Sequence, residues 1–267
     1  MKSARTAQAL LVAVLLLLCA ATVWAKGTPG IKNTIHNLST SAPYAYYASD
    51  ETEICVFCHT PHGGVLSGPL WNRSNTANNI FTHYNSATLS TELKNLSATR
   101  PVNNESLLCM ACHDGSISVM HLLNPTNNLG RNPQSTFVSG SSDIYVVPLF
   151  GENPGAKIGG LQGNAALYGQ LQDDHPISFS YSDVLNSPEY GPGGAKENDL
   201  RIIGDKNNTN SALGWQGEGV RFFGDDDRVE CSSCHDPHVD YVTDTRYTPF
   251  LIRPNDGSNL CLACHDK

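Results

Sequence analysis

Four copies of the pattern Cys-x-x-Cys-His run through this 267-residue chain. Two thiols at this spacing can add across the vinyl groups on one edge of a porphyrin, and the next residue can bring its imidazole to one face of the iron. The pattern is therefore the attachment signature of a c-type haem, and four copies predict four covalently bound haems. The predicted attachment residues are Cys55, Cys58, Cys109, Cys112, Cys231, Cys234, Cys261 and Cys264, and the predicted proximal iron ligands are His59, His113, His235 and His265.

Cysteine pairs at this spacing also occur in zinc knuckles and in redox dithiols. Neither alternative needs a particular residue after the second cysteine, whereas ligation of the haem iron needs histidine there. All four motifs carry histidine at that position. The repeated fifth residue therefore favours haem over zinc or a disulfide.

The first 25 residues have the pattern of an export signal. Lys2 and Arg5 precede an apolar run over 9–21, and small residues lead up to Ala25. We expect residues 1–25 to be a cleaved signal peptide and residues 26–267 to form one tetrahaem cytochrome c domain. The apolar run is too short for a membrane-spanning helix. The mature protein is predicted to be extracellular or at the cell surface, with the periplasm as the alternative.

The cysteine count agrees with this division. Eight of the nine cysteines belong to the motifs, and the ninth, Cys19, lies in the signal. The mature chain then has no thiol left for a disulfide framework. A lipid anchor on Cys19 is the alternative, but the three leucines before it, 16–18, lack the small residue that lipid attachment favours.

The charge of the mature chain restricts its partners. Without Lys2 and Arg5 it has 15 Lys and Arg residues against 25 Asp and Glu residues, a net charge of −10. Such a chain lacks the basic surface that binds nucleic acid, and anionic membranes repel it. The acidity indicates solubility and a bias toward cationic or metal partners, with a solvated surface that has no specific partner as the simpler alternative. The acidic run 225–227 could hold calcium, but a solvated turn is the simpler interpretation because no regular loop of ligands surrounds it.

Composition predicts little regular secondary structure. Only 16% of the residues are charged, and glycine, proline and asparagine interrupt the regions 124–172 and 189–210. A short apolar run at 144–147 is a strand candidate, and we expect a helix over 106–120. The predicted fold class is mostly coil with short helices and few short strands. We expect a single multihaem cytochrome c domain wrapped around a chain of four haems, which supply its core.

The spacing of the motifs favours one domain. Their first cysteines are separated by 54, 122 and 30 residues, which gives an N-terminal pair and a C-terminal pair of motifs. About 60 residues per haem is too few for four domains with separate cores.

The remaining histidines decide what binds the second face of each iron. The mature chain has only two methionines, Met110 between two haem-bound cysteines and Met120, so methionine is a poor rival. All four haems can therefore be bis-histidine ligated, which places their potentials toward the low end. The six candidate distal ligands are His36, His62, His83, His121, His175 and His238, of which His83 and His121 are the weaker because packing or surface exposure explains them equally well.

Two candidates follow their own motifs directly, in His59-Thr-Pro-His62 and His235-Asp-Pro-His238. Three residues of backbone cannot carry the second imidazole round to the opposite face of the same porphyrin. His62 and His238 must therefore point at a neighbouring haem or at nothing. The alternative is a solvent-facing histidine after a proline turn. His62 could serve another haem of its own chain or a haem of a second chain.

At these residues the chain resembles secreted multihaem c-type cytochromes of bacteria that respire metals, and within them the tetrahaem group that polymerises into extracellular filaments, the OmcE-type nanowires. The landmarks span the mature chain. They are Ile35-His36-Asn37-Leu38-Ser39, Cys55 to Gly63, Pro69-Leu70-Trp71-Asn72, Leu108 to Gly115, Asp174-His175-Pro176-Ile177, Cys231 to His238 and Leu260 to His265.

The resemblance implies bis-histidine ligation throughout, sparse secondary structure, and a distal histidine donated by a neighbouring subunit. It favours His36, His62, His175 and His238 as distal ligands, with His62 as the one that crosses the subunit boundary; His83 and His121 match no landmark. The implied function is electron transfer through four closely packed haems, as a filament subunit for extracellular electron transfer. The implied partners are copies of the chain itself and either redox proteins or extracellular metal oxides.

Two other functions use similar motifs. A multihaem reductase needs an iron with an open sixth position, and it is disfavoured here because histidines outnumber the irons. A monomeric periplasmic electron shuttle would share every motif and differ only in its association state. We therefore expect no enzyme activity, and a carrier of electrons.

Overall fold

A computed structural model describes residues 30–44, 46–65, 69–74, 80–114, 120–126, 130–137, 171–197, 199–201 and 220–266. Within these ranges the chain is mostly coil, with short helices and short strands. The predicted fold class is confirmed at this coarse level. The signal peptide and the strand expected at 144–147 lie outside the described residues.

The α-helices are all short. They are α1 (Thr91–Asn95), α2 (Asn104–His113), α3 (Tyr181–Leu185) and α4 (Cys231–Cys234), and 3₁₀ turns occur at Ile31–Asn33, Cys55–Phe57, Thr245–Tyr247, Asp256–Ser258 and Cys261–Ala263. The hydroxyls of Ser90 and Ser180 cap α1 and α3 by accepting the third residue's N–H. In the part of the chain described, no helix has the length and apolar character needed to cross a bilayer.

The helix around the second motif is shorter than predicted. It ends at His113, where the Asp114 N–H donates to the Met110 carbonyl, and Met120 lies in a turn. Asp114 and the glycine after it are turn-forming residues, which explains why the helix stops there. The expectation of a helix over 106–120 was therefore wrong.

The strands form three separate antiparallel pairs. Strand β1 (Tyr46–Ala48) pairs with β4 (Ser135–Phe137), β2 (Ile80–Thr82) with β3 (Thr99–Pro101), and β5 (Phe179–Ser180) with β6 (Arg228–Val229). Their registers place Tyr47 opposite Thr136, Phe81 opposite Arg100, and Phe179 opposite Val229. Each pair of short strands joins two segments of the chain by a few hydrogen bonds, and the described strands form no continuous sheet.

The apolar core is divided into three small clusters, and each one includes residues of a Cys-x-x-Cys-His motif. The first contains Val56 and Phe57 of the first motif, the second contains Met110 of the second motif, and the third contains Ala263 of the fourth motif. Buried apolar side chains therefore gather around the attachment cysteines.

The acidic run 225–227 forms a turn between Phe223 and Arg228, whose backbones bond to each other in both directions. Asp226 contacts the Arg228 guanidinium at 2.6 Å, and Asp227 accepts a hydrogen bond from the Ser182 hydroxyl at 2.9 Å. Two of the three carboxylates are therefore engaged with neighbouring side chains.

Candidate functional site

Three imidazole pairs bring a motif histidine opposite a histidine from elsewhere in the chain. The ring centres lie 6.1 to 6.4 Å apart in all three pairs. His59 of the first motif faces His238, His113 of the second faces His36, and His265 of the fourth faces His175. Three of the four predicted distal ligands thus each stand before a different motif.

The spacing of these pairs suits one metal ion between two rings. A metal–imidazole bond is about 2 Å long, and the centre of an imidazole lies about 1 Å from its nitrogen. Two imidazoles on opposite sides of one metal therefore have centres about 6 Å apart. Rings in direct stacking contact are closer, as His36 and Phe250 are at 4.3 Å. The histidine pairs have the separation of axial ligands.

Hydrogen bonds orient four of the imidazoles. The Nδ1 atoms of His59, His235 and His175 each lie 2.8 Å from a proline carbonyl oxygen, and Nδ1 of His238 lies 2.9 Å from the Asp236 carboxylate. Carbonyl and carboxylate oxygens accept, so each Nδ1 carries the proton and donates. Nε2 is then left with its lone pair. This is the arrangement that metal-ligating histidines adopt in proteins.

Burial keeps His36 neutral. Desolvation of its ring, together with the nearby His113, lowers the pKa of His36 to about 3. The ring also stacks on Phe250 at 4.3 Å with an interplanar angle of 13°. A neutral imidazole is the form that binds a metal, and Phe250 fixes the plane in which this one lies.

The first and third motifs are each followed by a loop that returns and hydrogen-bonds to the motif in the same way. We call the two stretches the first motif segment (55–72) and the third motif segment (231–252). In the first, the Thr60 N–H donates to the Leu70 carbonyl and the Asn72 N–H to the Cys58 carbonyl, both at 2.8 Å. His59 thereby forms an antiparallel bridge with Trp71. The Pro69 carbonyl reaches the His59 ring from the same loop.

The third motif segment repeats each of these contacts. The Asp236 N–H donates to the Phe250 carbonyl at 2.8 Å, and the Ile252 N–H to the Cys234 carbonyl at 2.9 Å. His235 bridges Leu251, and its ring meets the Pro249 carbonyl. Leu70 and Phe250 occupy the same place in the two loops, and both have a positive φ, 56° and 59°.

The fourth motif has part of the same returning loop, and the second motif lies at the end of a helix. His265 bridges Leu200, the Arg201 N–H donates to the Cys264 carbonyl, and the Asp266 N–H donates to the Asp199 carbonyl. A returning loop thus supports three of the four motif histidines, whereas His113 is held by α2.

The thiols of successive motifs lie near one another. Burial, followed by the neighbouring Cys112 thiol, raises the pKa of Cys58 to about 12. The Cys109 thiol donates a hydrogen bond to Cys231, which with burial raises the pKa of Cys109. The first motif is therefore next to the second, and the second next to the third.

The third and fourth motifs are neighbours in the same way. Burial raises the pKa of Cys264 to about 12, with the Cys234 thiol as the next cause. The motifs consequently follow one another in space in the order that they have in the sequence. All eight thiols are free of disulfides.

No protein-family model and no curated protein sequence matches this chain. The arrangement of its own residues therefore carries the functional argument. In the described ranges, no group of three or more His, Cys, Asp or Glu side chains gathers as a metal-ion site. The donors stand instead as thiol pairs beside imidazole pairs, which is the set that a c-type haem requires.

The third motif lacks such a pair. In the part of the chain described, no imidazole stands opposite His235, whose side chain is exposed. His62 is exposed as well, and it makes no ring contact with the described residues. Its loop is nevertheless fixed, because its carbonyl accepts hydrogen bonds from Thr60 and Asn124. In the described chain, His235 is thus a motif histidine with no facing imidazole, and His62 is a predicted distal ligand that faces no motif histidine.

The two weaker candidates have other contacts. His83 is 1% exposed, its Nε2 lies 3.2 Å from the Arg100 carbonyl, and burial followed by the Arg100 charge lowers its pKa to about 4. His121 is exposed, and its Nδ1 accepts a hydrogen bond from the Asn132 amide at 3.1 Å. Neither ring pairs with a motif histidine, and Nε2 of His83 is occupied as a donor.

Sequence reasoning missed the residues that support the ligands. The Pro69 and Pro249 carbonyls orient two motif histidines, and Phe250 packs against a third imidazole. The available signal was a proline in the loop after each of these two motifs. Pro69 lies 10 residues after His59 and Pro249 lies 14 residues after His235, and this difference in loop length hid the repeat.

Proposed function

We propose that this protein transfers electrons through four covalently bound c-type haems arranged in one chain. The observation that carries the proposal is the set of three imidazole pairs, each joining a Cys-x-x-Cys-His motif to a distant histidine at 6.1 to 6.4 Å. When bound, haem supplies a one-electron exchange between ferric and ferrous iron. The single domain would then wrap around its haems, held by the motif cysteines beside the small apolar clusters.

The chain's own residues suit a carrier. Paired cysteines would anchor each haem. An imidazole on each face would close three of the irons to substrates within one chain, and the fourth would need an imidazole from a neighbouring chain. The succession of thiols from the first motif to the fourth supports a linear path for electrons. We infer that the protein is not an enzyme, because a substrate has no open coordination position at a doubly ligated iron.

The first test is the mass and the spectrum of the protein exported from a host that matures c-type cytochromes. We expect the mass of the chain plus four haems, and low-spin spectra that nitrite and cyanide do not change in the assembled protein. Replacing Cys261 and Cys264 by alanine should remove one haem and leave three. Fewer than four haems in the unmodified protein, or a ligand-responsive high-spin iron in the assembled state, would overturn the proposal.

We further propose that the chains join head to tail, with His62 of one chain ligating the third haem of the next. The support is the repeat between the two motif segments. His238 follows the third motif as His62 follows the first, and His238 faces His59. His62 occupies the equivalent position with its ring exposed, while His235 has an exposed ring as well. His62 of one chain would therefore supply the imidazole that His235 of another chain does not find within its own described residues.

The surface around His62 supports a contact with another chain. Leu70, in the same motif segment, is 56% exposed, and Leu123 is 40% exposed. Leu123 is attached to this region because its N–H donates to the Asn72 carbonyl, and Asn124 bonds the His62 carbonyl. Exposed apolar side chains beside an unused ligand are typical of a surface that another molecule covers.

A contact that joins His62 of one copy to the site of His235 in the next is head to tail, and such contacts build an open fibre when the rotation between copies does not close a ring. The signal over 1–25 would export each chain, and the fibre would act outside the cell or at its surface. Its electron partners would be redox proteins or extracellular metal oxides.

Substitution of His62 tests the assembly. We expect His62→Ala to keep four haems and to elute as a monomer, whereas the unmodified protein forms polymers. His121→Ala is the matched control, since His121 is also exposed and faces no motif histidine. Polymers of normal length from His62→Ala would contradict ligation between chains, and a monomeric unmodified protein with four low-spin haems would favour the periplasmic shuttle.

A further inference from the structure

The residue that precedes each motif is apolar in three cases and acidic in one. Ile54, Leu108 and Leu260 precede the first, second and fourth motifs, and Glu230 precedes the third. Glu230 is nevertheless 1% exposed, so a carboxylate is buried directly beside an attachment cysteine. Burial of a charged group is costly unless it is well hydrogen-bonded.

Glu230 meets that requirement with donors from several parts of the chain. One oxygen accepts hydrogen bonds from the Ser106 hydroxyl at 2.5 Å and the Ser178 hydroxyl at 2.9 Å. The other accepts from the Asn103 amide at 2.7 Å and lies 3.4 Å from Nε of Arg228. An ionised carboxylate only accepts hydrogen bonds, and every group here is a donor. These donors therefore stabilise the ionised carboxylate of Glu230.

The carboxylate is closely connected to the third attachment cysteine. Ser106 donates to Glu230 and accepts the Cys231 N–H at 3.1 Å. A hydrogen bond from the Cys109 thiol lowers the pKa of Cys231, and the charges of Glu230 and Asp174 act in the opposite direction. Two acidic groups thus reach this thiol.

Among the described residues, the negative charge around Glu230 exceeds the positive charge. Arg228 contacts Glu230, and the same guanidinium also contacts Asp226 at 2.6 Å and Glu105 at 3.5 Å. Three carboxylates therefore share one cation. Asp226 is 51% exposed, so water screens its charge, whereas the Glu230 side chain is fully buried.

Each of the other motifs has a positive neighbour. Burial raises the pKa of Cys112 in the second motif, Arg73 acts against it, and Asp114 adds to it. The charge of Arg73 acts to lower the pKa of Cys58, and that of Arg253 acts to lower the pKa of Cys264, although burial raises both overall. The negative surroundings of Cys231 distinguish the third motif from the first and the fourth.

We propose that buried Glu230 makes the third haem the hardest of the four to reduce. The inference rests on the proposed function, since it requires four haems. Ferric iron carries one more positive charge than ferrous iron, so a nearby negative charge in a poorly solvated position stabilises the oxidised form. Glu230 is a positioning and tuning residue, because it contacts the groups that hold the attachment cysteine and acts on the iron only through its field.

The test is an optical redox titration of the four-haem protein and three variants. Glu230→Gln keeps the shape of the side chain and removes its charge, so the lowest of the four one-electron steps should move to higher potential. Arg228→Gln removes the cation beside Glu230, so the same step should move to lower potential. Asp226→Asn is the matched control, because it removes an equally charged but exposed partner of the same arginine, and its titration should coincide with that of the unmodified protein.

Opposite shifts of the lowest step in Glu230→Gln and Arg228→Gln are the expected result. An unchanged lowest step in both variants, or shifts of the same sign, would overturn the inference. Where Glu230→Gln does not mature, the sign of the shift in Arg228→Gln decides. The haem mass of the unmodified protein separates the two proposals, since fewer than four haems would defeat the proposed function itself, whereas four haems with unmoved potentials would defeat only the role of Glu230.

Discussion

The first and third motif segments have the same returning loop, but their last histidines, His62 and His238, have different surroundings. In both, a returning loop bridges the motif histidine and a proline carbonyl orients its ring. The third segment uses its extra histidine inside the chain, where His238 faces His59 at 6.1 Å. The first segment leaves His62 exposed.

Among the described residues, the extra histidine of the third segment faces a motif histidine and that of the first does not. Under the proposed assembly, a row of such segments would have one unused ligand at one end. The site that lacks a ligand, at His235, lies in the other segment. We propose that a second copy of the chain would supply this ligand through the same kind of imidazole pair that the three described pairs form.

The largest expected effect comes from removing the ligand that is used inside the chain. His238→Ala should convert one of the four haems to a high-spin form in monomers and polymers alike, because His59 would lose its facing imidazole. Electron paramagnetic resonance of the variant at high and low protein concentration measures this. A fully low-spin His238→Ala protein would mean that the pairing of His238 with His59 has no role at a metal.

The second prediction compares the equivalent loop residues Phe250 and Leu70. Phe250 is buried, stacks on His36 and packs edge-on against Tyr241 at 4.5 Å, so Phe250→Ala should lower the free energy of unfolding by about 3 kcal/mol. Leu70 is exposed, so Leu70→Ala should change it by less than about 0.5 kcal/mol. Both variants keep a non-glycine residue at positive φ, so the backbone strain is matched.

Denaturant unfolding of both variants in a His62→Ala background, which is predicted to be monomeric, measures these free energies. Leu70→Ala should instead weaken polymer formation when His62 is present. Equal destabilisation by the two substitutions in the monomer would contradict the distinction between a loop that is covered within the chain and one that is left for a neighbour.

The third prediction concerns His83, a histidine that belongs to neither segment. Burial lowers its pKa in the folded protein to about 4, below the 6.5 of an exposed histidine. The unfolded chain therefore binds more protons than the folded one between these values, and stability falls as the pH falls from 6.5 toward 4. Between pH 7.5 and pH 5 the loss should be about 2 kcal/mol.

Replacing His83 by glutamine should remove that part of the pH dependence, whatever its effect on stability at neutral pH. His121→Gln is the control and should keep it. Unfolding curves at a series of pH values measure both, and loss of a low-spin haem in the His83 variant would contradict its exclusion from the ligand set.

Part of this site could be predicted from the sequence because it depends on local spacing. The four motifs, the candidate ligands and the inability of His62 and His238 to serve their own irons follow from a few adjacent residues. The coarse fold class followed from composition, since glycine, proline and asparagine prevent long periodic segments. The helix expected over 106–120 failed at its end, where Asp114 closes it.

The rest depends on contacts between distant residues. Nothing near His36 in the sequence identifies His113 as the ring that it faces, and the loops that bring Pro69 and Pro249 to their histidines differ in length. Glu230 is one acidic residue among 25 until its burial and its four donors are known. Sequence spacing specifies which groups can bind, and tertiary packing specifies which of them meet.

The most direct measurement is the spin state of the haems in the unmodified protein before and after dissociation of its polymers. We expect four low-spin haems per chain in the polymer and three in the dissociated chain, with the fourth becoming high-spin when the neighbouring His62 leaves. Four low-spin haems in an isolated monomer would contradict it, because the iron at His235 would then have found its second ligand within its own chain.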